Sequence, residues 1–127
     1  MVKQFGDVPW YSHALSVGDS ALYKPRDPRA LVMDSVLADL NFAVANINDV
    51  KDNSATQVTK WAALAFKSRI CLFEGTFRKY HPEAKLSSSA DKFLQEAADA
   101  ASQLMKSGQY KLQSSEATEK DYRSLFY

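Results

Sequence analysis

Asp7, Trp10 and Tyr11 stand within five positions of one another, an acid beside two flat aromatic faces. Aromatic side chains stack against the C–H faces of a ligand ring, and a nearby carboxylate supplies a polar handle, so the trio is a candidate binding site. The competing reading, which we favour, is that this stretch packs across the rest of the chain and its aromatics fill gaps. Arg69 also asks for a partner. It projects from the side of a long helical pattern opposite most of the other charges, where a cation needs a carboxylate or an open cleft. A buried structural pair with Asp34 or Asp39 is the favoured reading, and contact with a ligand is the other.

Chemistry beyond binding finds little to stand on. His13 and His81 are far apart, and no His-x-x-x-His or Cys-x-x-Cys spacing occurs, so no metal site is expected. Cys71 has no histidine at triad or ligand spacing along its helix and is expected to be inert. Asp34, Asp39, Glu74, Glu96 and Asp99 are the acids that exposed helix faces always carry, and spacing alone assigns no catalytic pair among them. Gly6, Gly18, Gly75 and Gly108 are scattered and make no phosphate-cradling loop. The expectation is therefore a non-enzyme without cofactor. A net charge of +1, from 16 basic and 15 acidic residues, removes the electrostatic argument for a nucleic-acid or anionic-membrane surface. No apolar run is long enough to span a bilayer, and Met1 to Phe5 is not followed by the apolar core of a secretory signal.

The elements that must hold these residues read as helices. The 127 residues, 46% of them hydrophobic, suit one domain with a modest core. The longest pattern runs from Thr59 to Tyr80. At about 100° per residue Lys60, Lys67, Glu74 and Arg78 fall nearly in line, while Phe66, Ile70, Phe73 and Phe77 occupy one flank and Trp61, Ala65, Ser68, Leu72 and Gly75 the other. A helix apolar on two flanks is expected to be a middle layer, with Trp61 in the core.

Before it, 1–27 is an irregular arm broken by Gly6, Pro9, Gly18 and Pro25. Its aromatics, Phe5, Trp10, Tyr11 and Tyr23, must dock on the helices or form a platform. Asp27-Pro28 is a helix start in which the carboxylate caps and proline is preset for the first turn. That helix is expected from Pro28 to about Ile47, with Met33, Val36, Leu37, Leu40, Val44 and Ile47 on its core face. Thr56 or Thr59 caps the central helix, and His81-Pro82 stops it. A third helix, Ala90 to Ser107, opens behind Ser87-Ser88-Ser89 and closes at Gly108. Its inner stripe is expected to be Leu94, Ala97, Ala98, Ala101, Leu104 and Met105, packed on the small-residue flank of the central helix. A short last helix over 119–127 would place Tyr122, Leu125 and Phe126 on one face.

Three blocks together resemble the SusD/RagB family of bacterial outer-membrane nutrient-binding lipoproteins. They are Phe5-Gly6-Asp7-Val8-Pro9-Trp10, then Tyr23-Lys24-Pro25-Arg26-Asp27-Pro28-Arg29 leading into Val36-Leu37-Ala38-Asp39-Leu40, and Val58-Thr59-Lys60-Trp61-Ala62-Ala63-Leu64-Ala65 with Arg69. Ser107-Gly108-Gln109-Tyr110-Lys111-Leu112 and Asp121-Tyr122-x-x-Leu125-Phe126 add to the likeness, which spans nearly the whole chain.

The resemblance implies an all-α fold: a tetratricopeptide-like bundle of three long helices plus a short C-terminal helix, preceded by the irregular arm. Family proteins are several times longer and begin with a lipoprotein signal and anchoring cysteine. Residues 1–127 are therefore expected to be one helical segment excised from a larger protein, with 28–127 as scaffold. The parent would be lipid-anchored at the outer membrane, facing outward, through an anchor absent from this chain. Its expected partners are an oligosaccharide or polysaccharide and a SusC-like TonB-dependent transporter that receives it. A tetratricopeptide-like scaffold that binds protein and no glycan of its own is the alternative. In isolation the segment is expected to expose apolar surface and to self-associate.

Overall fold

Thr59 opens the longest helix as its spacing requires: in the computed structural model, which describes residues 1–50, 54 and 56–111, its hydroxyl accepts the Ala62 N–H at 3.4 Å. This helix, α3, spans Lys60–Tyr80 and stops at His81, where Pro82 forbids a further helical turn. Upstream lie α1 (Val2–Phe5), a four-residue turn, and α2 (Arg29–Asn46); downstream lies α4 (Ala90–Lys106). Short 3₁₀ turns occur at Ser20–Tyr23, Pro82–Ala84 and Ser87–Ser89. Gly108, at φ 66°, leaves α4 in the left-handed region that favours glycine. The fold is all-α, with three long helices behind an irregular N-terminal region. The last helix expected over 119–127 lies outside the described residues.

α3 is the middle layer, packed most extensively on α4 and then on α2. Met33 and Leu37 of α2, Cys71 of α3, and Phe93 and Ala97 of α4 form the apolar core, with Val2 and Ile70 against it. The expected contact between α4 and the small-residue flank is present at Gly75, where a Cβ would stand 2.8 Å from the Leu94 side chain.

Two faces differ from the sequence expectation. Lys67, Glu74 and Arg78 of the charged stripe point inward, at 7, 0 and 1% exposure, whereas Phe66 and Leu72 on the two apolar flanks are about half exposed at 56 and 53%. The reason is charge complementarity between layers: α2 sends Arg29 to Glu74, and α4 sends Glu96 to Lys67 at 2.6 Å. Paired charges can be buried at a fraction of the cost of lone ones. On α4 the buried set is Ala90, Phe93, Ala97 and Ala100, while Ala98 and Met105 are exposed. The stripe is turned towards Phe93, which is wholly buried beneath the Arg78 guanidinium at 4.2 Å.

The start of α2 also differs. Asp27 does not cap it. Its carboxylate accepts the Trp10 backbone N–H at 2.7 Å and pairs with the Lys24 ammonium at 2.6 Å. The first helical N–H, that of Arg29, goes to Asp7 Oδ1 at 2.8 Å, so the cap comes from the arm, 22 residues upstream.

Candidate functional site

The N-terminal arm is organised by Asp27. Proline on both sides, at Pro25 and Pro28, keeps its neighbourhood extended, and an isolated antiparallel bridge joins it to Val8, the Asp27 N–H donating to the Val8 carbonyl at 3.2 Å. Lys24 sits among three partners: the Asp27 carboxylate, the Trp10 carbonyl, and the Tyr11 ring, whose centroid is 4.8 Å from Nζ. The hydrogen bonds from Lys24 and Trp10 hold the Asp27 carboxyl below its ordinary value of 3.8.

Of the proposed binding trio, Trp10 and Tyr11 are half-buried, and the Trp10 backbone and the Tyr11 ring are both engaged within this knot. Asp7 is exposed but committed to the α2 cap. It borders a recess of about 390 Å³ that Pro28, Phe77 and Leu86 also line, and neither Trp10 nor Tyr11 reaches it. Phe5 and Tyr23 stand in solvent at 59 and 88% exposure and join no platform with them. The structure thus brings two of the trio to one knot and gives the third another task.

Arg69 is exposed, and no ion pair to Asp34, Asp39 or any other acid forms among the described residues. The buried pairing expected of Arg69 is made instead by two other arginines. Arg29 donates from Nη2 and Nε to Glu74 at 2.6 and 3.3 Å, and its third nitrogen donates to the Val2 carbonyl at 3.2 Å. Arg78 donates from Nε to the same carboxylate at 2.8 Å and from Nη1 to Ser89 Oγ at 2.7 Å. Its Nη2 is buried without a hydrogen bond, 3.9 Å from Asp34 Oδ1. The Arg29 plane lies 3.6 Å over the Phe77 ring centroid, which accounts for a cation being tolerated among aromatics. One signal for this cluster was present in the sequence, the i,i+4 spacing of Glu74 and Arg78. The third member, 45 positions away from Glu74, had none.

Trp61 is half-buried rather than central to the core. Its indole N–H donates to the Asp49 carbonyl at 2.6 Å and so ties the α2–α3 connection to α3. Cys71 is wholly buried, and desolvation pushes its thiol up from 9.0, away from the thiolate form. No group of three or more His, Cys, Asp or Glu among the described residues is arranged to hold a metal ion, and none of the described helices is long and apolar enough to cross a membrane.

A second recess, of about 380 Å³, lies where α1, α2 and α3 meet. Met33, Val36, Ile70 and Phe73 give it an apolar floor, and Lys3 and Arg69 stand at its edge. No protein-family model, no curated protein and no solved structure matches the chain.

Proposed function

We propose that the chain is a scaffold segment of a SusD/RagB-type nutrient-binding lipoprotein, whose parent captures oligosaccharides at the outer membrane and passes them to a SusC-like TonB-dependent transporter. The observation that carries this reading is spatial. The blocks whose ordered occurrence resembles the family, the Gly-Asp-Val-Pro arm and the Arg-Asp-Pro helix start, are locked to each other by Val8–Asp27 and Asp7–Arg29, and Arg29 continues to Glu74 of α3. Residues that resemble a family motif here share one structural task, which supports their being a set rather than chance matches.

In this segment the task is structural. The Trp10 backbone and the Tyr11 ring are engaged internally, so the glycan site of the parent belongs mainly to other segments. The alternative, a tetratricopeptide-like scaffold that binds protein only, draws support from large apolar side chains left in solvent at Phe42, Phe66 and Leu72. Calorimetric titration of the full-length protein with a panel of oligosaccharides separates the two. Saturable heat with at least one glycan is expected, persisting in Trp10→Ala; its loss in that variant would return the site to the arm. Absence of heat with every glycan, together with co-purification of a transporter, would replace glycan capture with the scaffold reading.

A further inference from the structure

The recess between α1, α2 and α3 has a composition that the scaffold role does not use. Its floor is apolar, from Met33 and Val36 of α2 and Ile70 and Phe73 of α3, and its volume of about 380 Å³ falls within the range of small-molecule sites. Among the described residues no acid lines it, yet Lys3, Arg29 and Arg69 do.

One of these is already satisfied. Arg29 gives Nε and Nη2 to Glu74 and its remaining nitrogen to the Val2 carbonyl, which also pins α1 as the third wall. The other two are uncommitted to any carboxylate among the described residues. Lys3 lies 5.0 Å over the Phe73 ring, and Arg69 makes no ion pair among the described residues. One turn to either side of Arg69 on α3 stand Ala65, Phe66, Leu72 and Phe73, so its own helix supplies no counter-charge. The electrostatic complement of this recess is an anion, and the complement of its floor is a hydrocarbon.

We propose that the recess binds a small carboxylate with an apolar body, of the size of a medium-chain alkanoate, with the tail on Met33, Val36 and Ile70 and the carboxylate at the edge carrying Lys3 and Arg69. A guanidinium and an ammonium together match a carboxylate's acceptor-only oxygens. A neutral sugar is the poorer fit, because its hydroxyls must donate as well as accept. The carbonyl of Val2, a residue of its wall, is already taken by Arg29.

Decanoate is the probe, with decan-1-ol as its uncharged counterpart and galacturonate as an anion of sugar type. Titration followed by calorimetry and by methyl NMR should give saturable decanoate binding, with shifts at Met33 and Ile70. Decan-1-ol should bind at least about tenfold more weakly, and Arg69→Gln should weaken decanoate by about tenfold. Arg69 is exposed, so the variant should melt as the parent does; Lys3→Gln is a second variant on a different element. Any of four results would overturn the proposal: no saturable binding, decan-1-ol equal to decanoate, galacturonate bound in preference, or decanoate affinity unchanged in both variants. Shifts centred on the methyls of Leu31, half exposed on α2, instead of those of Met33 and Ile70 would equally overturn it, as they would mark unspecific adsorption on an exposed apolar side chain.

Discussion

Glu74 is the residue on which the interior depends. Its carboxylate, with no solvent exposure, receives Arg29 from one helix and Arg78 from its own, so one anion neutralises two buried cations. Replacing it with glutamine keeps the shape but leaves Arg29 without its counter-charge and Arg78 with only the half-exposed Asp34, 3.9 Å away. Removing one member of a buried ionic cluster costs about 3–5 kcal/mol. Glu74→Gln should therefore shift the denaturant midpoint strongly downwards, whereas Arg69→Ala, at an exposed site, should stay within about 0.5 kcal/mol of the parent. The reverse order in equilibrium unfolding would mean that the ionic core is wrongly assigned. At Asp27 the consequence is acid sensitivity. Its carboxyl titrates below 3.8 in the folded chain because Lys24 and the Trp10 N–H bond the charged form. A depressed folded value contributes stability that is complete above the unfolded value and is lost as pH falls through the folded one. Following the Trp10 amide proton by NMR during acidification should give a midpoint below 3.8, moving up towards that value in Lys24→Met. A midpoint at or above 3.8 in the parent would contradict the Asp27 knot.

Helices are legible in this sequence where their ends are local, and their faces are legible only where burial follows polarity. Thr59, the His81-Pro82 pair and Gly108 act within a turn of the boundary they mark, and α3 and α4 begin and end within about a residue of where those signals put them. The orientation of α3 was not legible, because a row of Lys67, Glu74 and Arg78 looks solvated until Arg29 and Glu96 arrive from other helices. On α4 the series Ala90, Phe93, Ala97, Ala100 has helical spacing too, and the choice between it and the Leu94 stripe turns on Phe93, the largest apolar residue there. The capping of α2 by Asp7 rests on a contact across the arm, and no local pattern could show it. One helix-to-helix approach allows a sharp check. Alanine in place of a helical glycine usually gains about 1 kcal/mol. At Gly75 the new Cβ would lie 2.8 Å from the Leu94 side chain and 3.0 Å from its backbone nitrogen, so α4 would have to move outward. Gly75→Ala should thus lose about 1–3 kcal/mol, the cost typical of overpacking. A gain in thermal stability would show that α3 and α4 are not this close.

At the scale of the molecule, the layers are covered unevenly. α3 lies between α2 and α4, but α2 has α3 on one side and solvent on the other. Its outer side carries Leu31, Ala38, Phe42 and Ala45, which fall within about 60° of one another around the helix and are all exposed, Leu31 at 50% and Phe42 at 70%. In a bundle that continues, such a side would meet a further helix; on the isolated chain it meets water, at a cost of about 25 cal/mol for each Å² of apolar area. The net charge of +1 offers almost no long-range repulsion between copies. A second copy is then the most accessible cover, and the isolated chain should self-associate through α2. Static light scattering should show a weight-average mass that rises with concentration. Because the attraction is apolar, added salt should leave it unchanged or strengthen it, where a charge-driven contact would weaken. The double variant Leu31→Glu with Phe42→Glu places two like charges on the contact and should restore the monomer while keeping helical content, as both side chains are at least half exposed. A monomeric parent at the highest concentration measured, or association that survives both substitutions, would place the uncovered surface elsewhere than on α2.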